Sequence, residues 1–168
     1  MVAQLAERRP NKPEVVRGSI PTHRISLRFP RFSYDRLGPS GCPYMVRWVA
    51  DFGAFSLRLH HWLHSDDMRA PHDHPWWFLT LCLWGGYTDV SASGDDVLTL
   101  GSVRFRPARH RHSVKVARST WTLVLTGPER RRWGFYVNGK FRKRNKYFYE
   151  HGHHDPVAPT RRWRDGTV

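Results

Sequence analysis

A chain of 168 residues is long enough for one domain with a substantial core and too short for two of ordinary size. Its 28 lysines and arginines stand against 14 aspartates and glutamates, a formal net charge of +14 that points to polyanions or small anions as partners, unless it is only a solvated basic surface. The chain holds just Cys42 and Cys82, its apolar runs are too short to span a bilayer, and residues 1–10 lack a long apolar core, so no disulfide framework, membrane insertion or secretion is indicated and a cytoplasmic protein is expected.

Residues 1–43 are cut by Pro10, Pro13, Pro21, Pro30, Pro39 and Pro43 into pieces too short for helices, and read as a basic arm. Within it Ile25 to Phe29 alternates apolar with polar and suits an edge strand. Tyr44 to Val49 is the next strand candidate, and Asp51-Phe52-Gly53 a turn. Phe55 to His64 then alternates, with Leu57, Leu59 and His61 on one face and Ser56, Arg58 and His60 on the other. That period predicts a strand and argues against a helix that would align His60 with His64 as zinc ligands.

Ser65 to Pro71 reads as a loop, its acids either capping backbone amides or touching substrate. His64-Ser65-Asp66 also spells the H-x-D half of a 2-oxoglutarate oxygenase triad. In His72-Asp73-His74 an extended backbone sends both imidazoles to one face and Asp73 to the other. His112, arriving from a neighbouring strand, could complete a three-imidazole set of a kind that suits iron, zinc, copper or nickel. By the same parity Trp76, Phe78, Thr80 and Cys82 line the pocket and Trp77, Leu79, Leu81 and Leu83 pack on the other face.

Gly85-Gly86 permits a sharp bend, and Ser91 to Asp96 reads as a hairpin loop. Strands are predicted at Val97 to Leu100, Val103 to Arg106 and His112 to Val116, the last pairing with Trp121 to Leu125, and then at Trp133 to Val137. With no convincing helix, the pattern is that of an all-β barrel or sandwich. Beyond Asn138, lysines and arginines alternate with Phe141, Tyr147, Phe148 and Tyr149, which suits nucleic-acid binding or, alternatively, aromatics capping the barrel. His151, His153 and His154 form a second candidate metal cluster.

Two spaced motifs resemble those of the cupin superfamily: G-x5-H-x-H-x(3,4)-E-x6-G, matched by His72, His74 and Gly86, and G-x5-P-x-G-x2-H-x3-N, matched by Gly101, Pro107 and His112. Leu79 stands at the glutamate position, Arg109 at the second-motif glycine and Val116 at the asparagine. The loss of the glutamate makes the set similar to the three-histidine thiol dioxygenase branch. Residues 42–140, with His72 to Trp76 and Trp133-Gly134-Phe135, also resemble small cupin-domain proteins of phages and bacteria.

The resemblance implies a cupin-type double-stranded β-helix, or jelly-roll barrel, over residues 44–140, with the basic arm 1–43 before it and a basic aromatic extension 141–168 after it. It implies a divalent transition metal, iron first with zinc, nickel or manganese as alternatives, held by His72, His74 and His112, and the chemistry of an iron(II)-dependent oxygenase; His110, which shares the parity of His112, is the substitute ligand if the turn shifts register. A metal-dependent isomerase or hydrolase and a nucleic-acid-binding module are the alternatives. Arg104 and Arg106 are the candidates to hold an anionic substrate, with Arg109 nearby, and Tyr87 is the candidate acid and base. Expected partners are that small substrate, nucleic acid, or a second copy in a homodimer, and no membrane.

Overall fold

The computed structural model describes residues 30–39 and 41–152. Eleven strands and one helix follow in order: β1 (Arg31–Leu37), β2 (Met45–Asp51), β3 (Ser56–Trp62), β4 (Phe78–Trp84), β5 (Gly86–Ser91), β6 (Asp96–Thr99), β7 (Val103–Arg106), β8 (His112–Val116), β9 (Thr120–Thr126), β10 (Gly134–Val137), β11 (Lys140–Lys143) and α1 (Arg144–His151). All pairings are antiparallel, in a six-stranded sheet β1-β2-β3-β9-β4-β7, a three-stranded sheet β6-β5-β8 and the hairpin β10-β11. His72 bridges β8 and β10, joining hairpin and small sheet into one layer. This is the expected all-β architecture, a jelly roll of antiparallel strands in two layers. Among the described residues, no helix is long and apolar enough to cross a membrane.

Gly85 turns the chain from one layer to the other. At φ +77° it occupies the left-handed region, and a Cβ there would run into the Ser119 carbonyl and Thr120. Between the layers, Met45, Trp62, Tyr87, Leu98 and Val114 form the main core cluster. A second cluster, Ala70, Phe135 and Tyr147, closes the other end.

Three expectations need correcting. β8 does not pair with β9: it pairs with β5, whereas β9 lies between β3 and β4. Successive strands of a jelly roll can alternate between layers, and the short connection Ala117-Arg118-Ser119 crosses from one to the other instead of closing a hairpin. The barrel also begins before residue 44, because β1 pairs with β2 along its whole length. Finally, residues 144–151 form a helix, whose Tyr147 is buried and stacked on Phe135 at 4.0 Å between ring centroids. The aromatics there largely cap the barrel, leaving Tyr149 91 % exposed. The candidate strand Ile25 to Phe29, His153 and His154 lie outside the described residues.

Candidate metal centre

Pro71 and Pro75 frame the His-Asp-His run and hold it out of helical geometry, since a residue preceding proline favours extended backbone. The run behaves as a strand inserted between β8 and β10. The His72 N–H donates to the His112 carbonyl at 2.8 Å and the His112 N–H to the His72 carbonyl at 3.0 Å. On the other side, the Asp73 N–H donates to the Gly134 carbonyl at 3.1 Å.

Asp73, fully buried, points away from the imidazoles as its parity predicts. Its carboxylate accepts bonds from Arg131 Nη1 at 2.7 Å, the Gly134 N–H at 3.0 Å and the Tyr136 hydroxyl at 2.9 Å. Arg131 Nη1 also donates to the His74 carbonyl at 3.0 Å. These bonds fix the backbone that carries both histidines. The sequence marked Asp73 only as facing away; its partners come from residues about sixty positions downstream, which no local signal announces.

On the inner face, one ligand atom each from His72, His74 and His112 lie within 4.8 Å of one another. His74 Nε2 and His112 Nε2 face each other at 2.9 Å. Nitrogens bound to one ion at about 2.1 Å stand about 3 to 3.5 Å apart, so the cluster fits a metal with small adjustments. Burial, with His112 adding to it, lowers His72 to about 3, and burial lowers His74 well below its ordinary value. Both rings are therefore neutral at pH 7 and carry a lone pair for a metal.

Carboxylates stand behind two of the ligands. His72 Nδ1 lies 3.5 Å from Asp66 Oδ2, and His112 Nδ1 lies 3.1 Å from Asp89 Oδ2. Neither contact is aligned as a hydrogen bond, and both His112 Nδ1 and Asp66 Oδ2 are buried without one. Such partners orient ligating imidazoles and leave Nε2 for the ion. Burial would raise the Asp89 carboxyl, but His110, His112 and Arg106 hold it well below the carboxylate range. Asp66 goes the other way: burial pushes its carboxyl well up, although Oδ1 accepts the Val114 N–H at 2.9 Å.

The histidines open on a cavity of about 420 Å³. Trp76, Phe78, Thr80 and Tyr87 are among its walls, as are Arg47, Arg58 and His60 from the six-stranded sheet. Cys82, placed there by parity, is buried outside the lining, where the register shifts before Trp84. Arg58 lies 4.0 Å over the Trp76 ring, and its Nε donates to Ser56 Oγ at 2.9 Å. Burial pulls its guanidinium down to about 10, with Arg47 adding to the shift, so it remains a cation at neutral pH. No carboxylate among the described residues forms an ion pair with it, whereas Arg47 pairs with Asp35 at 2.9 Å.

Other candidates fall elsewhere. Arg104 and Arg106 are absent from the cavity lining: Arg104 bonds Asp96 at 2.8 Å, and Arg106 bonds Asp89 at 3.0 Å and Asp96 at 2.6 Å. β7 is the edge of the large sheet, so these side chains reach across to β5 and β6 and clamp the layers together. Tyr87 does line the cavity, but burial raises its phenol far above neutral pH, so it serves as a hydrogen-bond donor. His110 Nε2 lies 2.9 Å from Asp89 Oδ1 and belongs to a second cluster with Asp89 and His112. His64 is exposed and is grouped with no metal-ligand set among the described residues, so H-x-D finds no support in the geometry. Arg58 was legible as a strand residue facing the same way as His60, but nothing local marked its face as the inner one.

No family model and no curated protein matches the chain. Among solved structures it is similar to a cupin-2 domain protein from Shewanella frigidimarina, at 11% identity and TM-score 0.41 over 46% of this chain and 74% of that one. It is also similar to FeII HppE, at 12% identity and TM-score 0.49 over 57% and 56%, and to KdgF from Halomonas sp., at 13% identity and TM-score 0.48 over 58% and 89%. Identities this low bear on fold and not on chemistry.

Proposed function

We propose that the chain is a metal-dependent cupin, foremost an iron(II) oxygenase, acting on a small anionic substrate. One observation carries this reading: a single cavity has three imidazoles at one wall and an arginine without a carboxylate partner among the described residues at another. A three-histidine set leaves positions of a bound ion open, and the ion would supply Lewis-acid or redox chemistry there. Arg58, held by Ser56 and Trp76, would orient the substrate's carboxylate or phosphate. Trp76 and Phe78 would exclude water from the reacting end.

The test is metal analysis followed by anaerobic loading with iron(II) and oxygen uptake against thiols, carboxylates and nucleotides. One metal per chain is expected, lost in the His72→Ala, His112→Ala double variant, with uptake whose KM rises on Arg58→Ala. Full metal occupancy in the double variant, or no uptake by the iron-loaded protein, refutes the oxygenase reading. A second reading, nucleic-acid binding, is favoured by exposed Tyr149 among Lys143, Arg144 and Lys146. Binding of short single strands that weakens steeply with salt would support it.

A further inference from the structure

The six-stranded sheet mixes arginines, a histidine and threonines with core residues on its inner face, whereas its outer face is almost wholly apolar. Cross-strand partners share a face. One inner row reads Val49, Arg58, Val124, Thr80 and Arg104, and the next Arg47, His60, Thr122 and Cys82. The outer rows carry no charge: Phe32, Ala50, Leu57, Leu125, Leu79 and Phe105 in one, and Tyr34, Trp48, Leu59, Leu123, Leu81 and Val103 in the next. A third row, Arg36, Val46, His61, Trp121 and Trp84, holds a single cation at the sheet edge.

The outer face stays open among the described residues. Phe105 is 57 % exposed, Val103 49 %, Trp84 64 % and Trp48 40 %. Trp48 stacks on Trp121 at 5.8 Å, and His61 on Trp121 at 4.1 Å, so the aromatics present a flat, rigid surface. With aromatic side chains of roughly 150–250 Å² each, the exposed apolar area is on the order of 600–900 Å², the size each partner contributes to a stable complex.

We propose that this face binds a second copy of the chain in a two-fold, sheet-on-sheet dimer. In a chain of net charge +14, a face whose single cation, Arg36, lies at the sheet edge is where two copies approach with little opposition of like charges. An acidic protein or a nucleic acid would find no cation on the face except Arg36 at its edge. An isologous contact needs only a self-complementary patch, and two flat apolar sheets pack at about 10 Å.

Light scattering and sedimentation of the full chain at micromolar concentration test this. The expected mass is twice the 19.8 kDa of one chain, unchanged by 1 M salt. Leu57→Lys with Phe105→Lys should give a monomer that keeps its circular dichroism and one metal per chain, since both side chains are exposed. The milder Val103→Thr with Phe105→Thr should weaken the dimer at least tenfold and guards against misfolding of the first variant. A monomeric wild type overturns the proposal, as does a dimer that survives both variants. So does a monomer that dimerises only after removal of residues 1–29, which would make those residues the cover, or a dimer that dissociates in salt and carries nucleic acid.

Discussion

Replacing Asp73 by alanine tests how the metal-binding run is held. The carboxylate is fully buried and accepts three bonds, from Arg131, the Gly134 N–H and the Tyr136 hydroxyl. Breaking a buried ion pair costs about 3 to 5 kcal/mol. Water reaches the Arg131 side chain, which is 28 % exposed, and repays part of that loss. The expected destabilisation is therefore about 3 kcal/mol, a fall in melting temperature of about 10 °C for a domain of this size. His72 and His74 would also lose their fixed backbone, and metal affinity should drop about 10- to 100-fold, as when a supporting partner of a ligand is removed. Asp73→Asn keeps an acceptor for Gly134 and should lie between alanine and wild type. Urea unfolding of metal-free protein and chelator competition measure the two effects separately. A melting temperature within about 2 °C of wild type, or unchanged affinity, would refute the assignment of Asp73 as the residue that positions both histidines.

Asp89→Ala should weaken metal binding by about 10- to 100-fold in chelator competition, because His112 loses its carboxylate. Asp96→Ala, which removes contacts only from Arg104 and Arg106, should leave affinity unchanged. Metal-free protein should lose stability as pH falls below about 6.5, because His72 and His74 stay neutral when folded and take up protons when unfolded. Each imidazole that stays neutral contributes about 1.4 kcal/mol per pH unit; His60, which burial also holds well below its ordinary value, adds a third, and Asp66, whose carboxyl burial raises, opposes them, so the net slope keeps the sign set by the histidines. Urea midpoints between about pH 7.5 and 5 measure it, and a flat profile would contradict the burial argument. Gly134→Ala should cost about 3 kcal/mol in urea unfolding, since a Cβ there meets the Arg142 carbonyl across the β10-β11 pair.

Side-chain alternation and histidine spacing are local, so the sequence by itself determined the all-β class and the strands β2, β3, β6, β7, β8, β9 and β10 to within a residue or two, while the stretch read as one strand from His72 becomes a strand only at Phe78. It also placed His72 and His74 on one side of the chain and Asp73 on the other, because an extended backbone flanked by two prolines leaves no other arrangement. Period two says that two faces exist, not which one turns inward, so only the tertiary structure showed that Arg58 and His60 face the cavity while Leu57, Leu59 and Phe105 face out. Pairing between layers is likewise non-local. It took β8 from its neighbour β9 and gave it to β5, committed Arg104 and Arg106 to Asp96 and Asp89, and brought Asp66 and Asp89 behind the histidines.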